Sequence, residues 1–242
     1  MSKGKRSIFK IIIVTVAFLA LSLIMVYTYM YITERPGGLA DQTMSKAMGL
    51  DETMSIPIGS TPEDAVEQFR SSSHHVRVVH QEPVDGGVIL FTERTNSGAS
   101  SNLQLEYVRK SLFGWKWVWG GGYGTSEIDP SEYALHYMNL PRLEGLETPF
   151  PMVFGTIEHS GVVRVTAESK SNGEDAGFST EARVVQAGID KLIWFAMLPV
   201  SDHAAAYTIK VYDEAGKQVG EKQVEMTNDS GSLTLGKRIS SM

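Results

Sequence analysis

The longest apolar run of the chain extends from Ile11 to Ile32 and contains no charged residue. As an α-helix, its 22 residues would span about 33 Å, enough to cross a hydrocarbon core of about 30 Å. A helix is the single-segment structure that satisfies its own backbone in lipid. Tyr27, Tyr29 and Tyr31 lie near its end, where an interfacial aromatic belt is expected. The pattern predicts a transmembrane helix over residues 11–32.

The ten residues before this run contain no acid and four cations, which are Lys3, Lys5, Arg6 and Lys10. Because positively charged segments stay on the inner side of a membrane, residues 1–10 are predicted to be a cytoplasmic tail. The modules that follow the helix are then expected outside the cell membrane, on a single-pass protein. Membrane lipid is the first partner that this pattern implies.

Cleavage of a signal peptide is the alternative for this segment. Gly38-Leu39-Ala40 is a small-x-small triplet that a peptidase would accept, so cleavage after Ala40 stays open. The apolar regions of signal peptides run for about 7–15 residues, which is shorter than the run here. An uncleaved anchor is therefore favoured.

Residues 33–58 have the composition of a juxtamembrane linker, with Pro36-Gly37-Gly38 and Pro57. The apolar spacing from Leu39 to Met48 indicates one or two helical turns within it.

Residues 59–148 are predicted to form a small α+β module, in which one helix packs on an antiparallel sheet. Thr61 is a suitable N-cap and Pro62 a suitable first residue for a helix over 62–70. A second, short helix is predicted over Pro130–Asn139. The predicted strands are His75–Gln81, Val88–Glu93, Leu103–Ser111 and Phe113–Trp119.

Residues 149–242 are predicted to be an all-β module, because short strand-like runs recur with turn residues between them. About seven strands in this length suggest an immunoglobulin-like sandwich, with Trp194 as a buried core tryptophan. The predicted strands are Met152–Glu158, Val162–Ser169, Phe178–Val185, Lys191–Leu198, Tyr207–Tyr212, Gln218–Met226 and a final one near Leu233–Leu235.

Trp115, Trp117 and Trp119 alternate along one predicted strand, so a regular strand would place them on one face. If they are exposed, the row is a candidate ligand-binding platform on which sugar rings could stack. If they are buried, they fill the core beneath the helix of residues 62–70. The buried arrangement is the commoner one for such a row.

Composition and motifs exclude several classes of function. The chain has 242 residues, no cysteine and a formal net charge of -6, which argues against a thiolate metal site, a cysteine nucleophile and a nucleic-acid partner. His74 and His80 are about 20 Å apart along an extended strand, too far to share a metal ion. No P-loop, HExxH or G-x-S-x-G motif occurs. We predict no cofactor, no metal and no catalytic residue.

Three segments resemble a loose group of uncharacterised Gram-positive single-pass cell-envelope proteins: Lys3–Ile32, Leu112–Trp117 and Ile209–Lys217. The most distinctive of them contains the sequence Phe-Gly-Trp-Lys-Trp. The resemblance implies a location in the cell envelope and a C-terminal immunoglobulin-like module. It implies no activity and no functional residues.

The sequence thus favours a membrane-anchored, extracytoplasmic and non-enzymatic binding module, with another envelope protein as a candidate partner. One alternative is a carbohydrate-binding protein or glycoside hydrolase that uses the tryptophan row, with acids such as Glu106 or Glu127 nearby. A second alternative is an accessory or regulatory subunit of a membrane complex.

Overall fold

The computed structural model describes residues 3–70, 76–95, 101–124, 133–169, 177–188, 191–200 and 206–235. Helix α1 (Lys3–Glu34) contains the predicted apolar run. Within the described ranges it is the helix that is long and apolar enough to cross a membrane, and the other described residues do not bury its apolar window. A helix that is apolar on all sides has no polar face to turn toward water.

The rest of the described chain contains two short helices and fourteen strands, joined by turns and loops. The helices are α2 (Leu39–Ala47) and α3 (Pro62–Arg70). The strands are β1 (Ile58–Gly59), β2 (Val76–Val84), β3 (Gly87–Thr95), β4 (Ser101–Ser111), β5 (Gly114–Gly124), β6 (Tyr133–Leu140), β7 (Met152–Ile157), β8 (Arg164–Ser169), β9 (Phe178–Glu181), β10 (Arg183–Gln186), β11 (Leu192–Met197), β12 (Tyr207–Tyr212), β13 (Gln218–Val224) and β14 (Ser230–Thr234).

The first sheet has the order β1-β5-β4-β3-β2, and all its pairs are antiparallel. Helix α3 packs on one face, as predicted. The Oγ1 of Thr61 accepts a hydrogen bond from the backbone N–H of Asp64 at 3.1 Å, and the Asp64 carboxylate accepts one from the N–H of Ser60 at 2.7 Å. The first bond satisfies one of the free donors at the helix start, and the second fixes the residue that precedes the N-cap. The predicted helix and meander are confirmed.

The short helix predicted over residues 130–139 is wrong. Residues 133–140 form strand β6, and residues 130–132 lie outside the described ranges. Strand β6 lies between β7 and β14, where Ala134, Leu135 and Tyr137 are buried. Its short apolar run fits a helix or a strand locally, and pairing with distant strands determines the outcome.

The second sheet has the order β10-β11-β7-β6-β14, and the third has the order β13-β12-β8-β9. Every residue of β7 is buried, whereas β12 alternates between buried and half-buried residues. The second sheet is therefore covered on both faces. One face packs on the first sheet through Phe91, whose ring lies 4.9 Å from Phe195 and 6.0 Å from Phe154. The other face shares a hydrophobic cluster with the third sheet.

Two details of the β-rich body bear on the predictions. Trp194 on β11 is fully buried, as predicted, and its indole N–H donates to the backbone carbonyl of His136 at 3.1 Å. The predicted strand Phe178–Val185 is divided at Ala182, so that β9 belongs to the third sheet and β10 to the second. This segment passes from one sheet to the other and links their edges.

Candidate functional site at the junction of helix α1 and the β-rich body

The last turn of α1 is bound to the first sheet through charged side chains. The Nη2 of Arg109 on β4 lies 2.8 and 3.0 Å from the two carboxylate oxygens of Glu34. The Nζ of Lys116 on β5 donates to the backbone carbonyl of Glu34 at 2.7 Å. Cations are favoured at a helix C-terminus, where carbonyl groups lack partners within the helix. Both contacts therefore stabilise the helix end and attach it to the sheet.

A buried ion pair reinforces this attachment. The Lys116 Nζ lies 2.6 Å from Oδ1 of Asp41 on α2, and their side chains are 2% and 0% exposed. The opposite charges at this distance make the contact an ion pair. The other carboxylate oxygen, Oδ2, accepts the backbone N–H of Gly37 at 2.7 Å and that of Ile56 at 2.9 Å. We call Glu34, Asp41, Arg109 and Lys116 the junction cluster.

The segment between α1 and β1 is packed along its length. Ser45 Oγ donates to the backbone carbonyl of Asp41 at 2.8 Å and accepts the N–H of Met54 at 2.9 Å. Met44 and Ile56 are buried in the same core as α3 and the first sheet. Residues 33–58, which have the composition of a linker, thus hold α1 against the body in this structure.

The tip of the β4–β5 hairpin extends alongside α1. The ring of Phe113 contacts Tyr27 and Tyr31 edge to face, with centroids 5.6 and 5.9 Å apart. Beside the tip is a cleft of about 580 Å³, whose lining includes Met30, Leu112 and Trp115. Helix α1, the hairpin and the junction cluster thus form one continuous contact region.

The three tryptophans of β5 do not lie on one face. Trp117 pairs with Val108 and Trp119 with Tyr107, and a β-bulge lies between the two pairs. Because Tyr107 and Val108 are neighbours in β4, they point to opposite faces, and so do their partners. Trp115 shares the face of Trp117. The expectation of a single row is wrong, since one extra residue reverses the alternation.

Trp117 is a core residue. It is 3% exposed and stacks on Phe69 of α3, with ring centroids 3.9 Å apart. Its indole N–H donates to Glu106 at 2.6 Å, and Glu106 is also bound by Arg70 at 2.8 and 2.9 Å. Trp115 and Trp119 are half-buried. Phe69 occupies the ring face that a sugar would need.

The two candidate acids give no carboxylate pair for glycoside hydrolysis in the described ranges. Glu106 is fully buried, and its oxygens are engaged by Arg70 and Trp117. Glu127 lies outside the described residues. The carbohydrate alternative thus has no support from the residues on which it was based.

No motif or spacing in the sequence predicts a polar cluster around His136, because its members come from distant strands. The Nδ1 of His136 lies 2.8 Å from Oγ of Ser232, and its Nε2 lies 4.0 Å from Glu158. Thr156 donates to Glu158 at 2.5 Å and lies 3.2 Å from the hydroxyl of Tyr123. The cluster joins β14, β6, β7 and β5 across two sheets.

The environment of this cluster shifts the pKa values of two of its members. Burial lowers the pKa of His136, and the nearby Glu158 carboxylate partly opposes the shift. Burial raises the pKa of the Tyr123 hydroxyl. The gap of 4.0 Å between His136 and Glu158 exceeds hydrogen-bond length. The serine and the acid are therefore not joined through the imidazole in a continuous proton relay.

No group of three or more histidine, cysteine or acidic residues among the described residues could hold a metal ion. His74, His75 and His203 lie outside those ranges. Among the described residues, the candidate site is therefore the junction cluster, which joins a long apolar helix to a β-rich body.

Comparison of the chain with protein-family models, curated proteins and solved structures found no match, so the resemblance to Gram-positive envelope proteins gains no support from them.

Proposed function

We propose that this protein is a single-pass, membrane-anchored interaction module whose β-rich body lies outside the cytoplasm, in the cell envelope. The observation that carries the proposal is the junction cluster. It binds the end of an uncovered apolar helix to the body through a buried ion pair and a two-oxygen arginine contact. A body attached in this way is held at the membrane surface, and tethering raises its local concentration near membrane partners.

The orientation rests on charge. The basic tail of residues 1–10 precedes α1, and positively charged flanks remain on the cytoplasmic side. Glu34 and the body follow at the other end. The body is then extracytoplasmic. Helix α1 is expected to stay uncleaved, because its apolar run is longer than the apolar region of a signal peptide.

The body is suited to binding through its surface. We infer that the second and third sheets are the two layers of an immunoglobulin-like sandwich, because Trp194 and Ile209 from the two sheets belong to one buried cluster. The first sheet covers the remaining face of the second. Layered sheets of this kind present loops and outer faces as rigid recognition surfaces.

Membrane anchoring is tested by alkaline extraction of membranes from cells that express the full chain. The expected result is that the protein remains in the membrane pellet. A variant with Leu19→Arg and Ile24→Arg is expected in the soluble fraction, because each central charge costs about 3 kcal/mol of insertion free energy. Ala215→Arg, in the exposed β12–β13 turn, is the matched control. Extraction of the wild type would overturn the proposal.

Topology is tested with single cysteines, because the natural chain contains none. A membrane-impermeant maleimide added to intact cells is expected to label Ala215→Cys and to leave Ser2→Cys unlabelled until the cells are lysed. The reverse pattern would place the body in the cytoplasm and contradict the proposal.

The rigid junction also favours a second candidate, an accessory subunit of a membrane complex. Because α1 is bonded to the body, a partner that binds and moves the helix would also move the body. A partner that moves the body would likewise move the helix. Photo-crosslinkers at two exposed residues, Leu23 on α1 and Gln223 on β13, distinguish the two candidate functions. A specific partner captured from Leu23 supports the subunit, and one captured from Gln223 alone supports the interaction module.

A further inference from the structure

We propose that the tip of the β4–β5 hairpin, Leu112-Phe113, inserts into the membrane interface beside α1 and forms a second contact with lipid. This inference rests on the proposed membrane anchor. The lipid that the tip contacts belongs to the same bilayer that α1 crosses.

The depth of the tip follows from two independent distances along the chain. Arg109 is level with Glu34, because the two are ion-paired. Phe113 follows Arg109 by four residues, or about 13 Å of extended strand. Tyr27 and Tyr31, which Phe113 contacts, precede Glu34 by seven and three residues, or about 10 and about 5 Å of helix. The hairpin therefore runs back along α1 toward the apolar span.

Glu34 is the first charged residue after the apolar run and so marks its aqueous end. The polar interface of one leaflet is about 5–7 Å thick. A tip between the levels of Tyr31 and Tyr27, about 5–10 Å from the level of Glu34, lies in this interface and reaches toward the acyl chains. The neighbouring β2–β3 turn is bonded through Gly86 at the level of Lys110, about 10 Å of extended strand before Phe113.

The residue types of the hairpin tip follow the order of a membrane interface, with an apolar end and a lysine and a tryptophan behind it. Leu112 at the end is 66% exposed, which is unusual for a turn, where polar residues are the rule. One step back, Lys110 lies over the ring of Trp115, with 5.6 Å from the Nζ to the ring centroid. Tryptophan favours the headgroup level, and lysine can extend its charged end to phosphate.

Two backbone groups of the turn have their hydrogen-bond partner within the turn itself. Ser111 Oγ accepts the N–H of Phe113 at 3.2 Å and donates to the carbonyl of Gly114 at 3.1 Å. In lipid, an unsatisfied backbone group costs several kcal/mol, so internal partners favour insertion. The exposed β12–β13 turn, by contrast, carries Glu214 and Lys217.

The test uses the full chain reconstituted in phosphatidylcholine–phosphatidylglycerol nanodiscs at one copy per disc. An environment-sensitive fluorophore is attached to Leu112→Cys and, as the matched control in the other hairpin, to Ala215→Cys. The probe at the first position is expected to emit at shorter wavelength and to lose emission when the lipids carry nitroxide on the upper acyl chain. The control is expected to lose emission with aqueous iodide instead.

The outcomes separate this inference from the anchor. If the protein resists alkaline extraction but the probe at Leu112→Cys responds to iodide as the control does, the hairpin does not insert and the anchor stands. If the wild type is extracted, the proposed function itself fails. A blue shift without nitroxide quenching at one copy per disc means that protein, and not lipid, covers the tip, and it overturns the lipid contact.

Discussion

The carboxylate of Asp41 lies 2.6 Å from the ammonium group of Lys116, and the two side chains are 0% and 2% exposed. Asp41 belongs to α2, which follows the long apolar helix, and Lys116 belongs to β5, between β1 and β4 in the first sheet. The pair therefore sets the position of the body relative to α1. Its removal should affect stability and the junction together.

Asp41→Asn is expected to lower the free energy of unfolding by about 3–5 kcal/mol, because Lys116 is left as a buried charge without a carboxylate. An asparagine oxygen can still accept the N–H groups of Gly37 and Ile56, so the change tests the charge itself. Denaturant unfolding of the full chain in detergent micelles measures the effect.

The control for this prediction is a double-mutant cycle with Lys116→Met. The double variant Asp41→Asn, Lys116→Met is expected to be more stable than Asp41→Asn alone, because it contains no unpaired buried charge. If the effects of the two single changes simply add, the buried ion pair does not exist in solution.

Glu106→Gln is expected to destabilise the protein by about 1.5–3 kcal/mol, because it removes charged hydrogen bonds to Arg70 and Trp117 inside the core. Glu168→Gln is the matched control. Glu168 is also ion-paired, with Lys210, but the two side chains are 28% and 26% exposed, so a loss below about 1 kcal/mol is expected. Equal losses in thermal unfolding would contradict the assignment of Glu106 to the core.

The thermal stability of the protein is expected to fall as the pH decreases from about 7.5 to about 5.5, because of His136. Its pKa in the folded state is below the ordinary value of 6.5. The unfolded chain therefore binds this proton more readily, so the stabilisation is complete above pH 6.5 and is lost as the pH falls toward the folded pKa. Melting temperatures across this range measure it.

His136→Gln is expected to flatten the pH dependence in that range, whereas Ser232→Ala, which keeps the imidazole, retains it. Glu93, Glu168 and Asp64 also have lowered pKa values, but their ordinary values of 4.5, 4.5 and 3.8 place their effect at lower pH. An unchanged slope in His136→Gln would assign the effect to other groups.

Gly155→Ala is expected to cost about 3 kcal/mol or more, or to prevent folding. A Cβ at this position would lie 1.8 Å from the backbone oxygen of His136, and backbone cannot move aside as a side chain can. Gly161→Ala is the control, because its Cβ would meet the ring of His159 at 3.1 Å, which can rotate. Equal stability of the two variants in denaturant unfolding would contradict the close packing of β6 on β7.

Much of the secondary structure could be predicted from local signals. Helix α3 was predicted over its observed residues, because Thr61 and Pro62 are adjacent in sequence to the turn that they start. The meander of the first sheet followed from alternation and short turns. Strand β6 was missed, because its apolar residues are buried by partners about 20 and about 100 residues away in the chain, and no local pattern reports such contacts.

The sequence by itself determined the long apolar helix, because length, absence of charge and flanking cations are properties of one contiguous segment. It also determined that the rest of the chain is rich in strands. Only the tertiary structure decided that Trp119 leaves the face of Trp117, that Lys116 meets Asp41 and that Phe113 lies against Tyr27. Each of these depends on a bulge or on a contact between distant segments, where packing and charge pairing outweigh local preference.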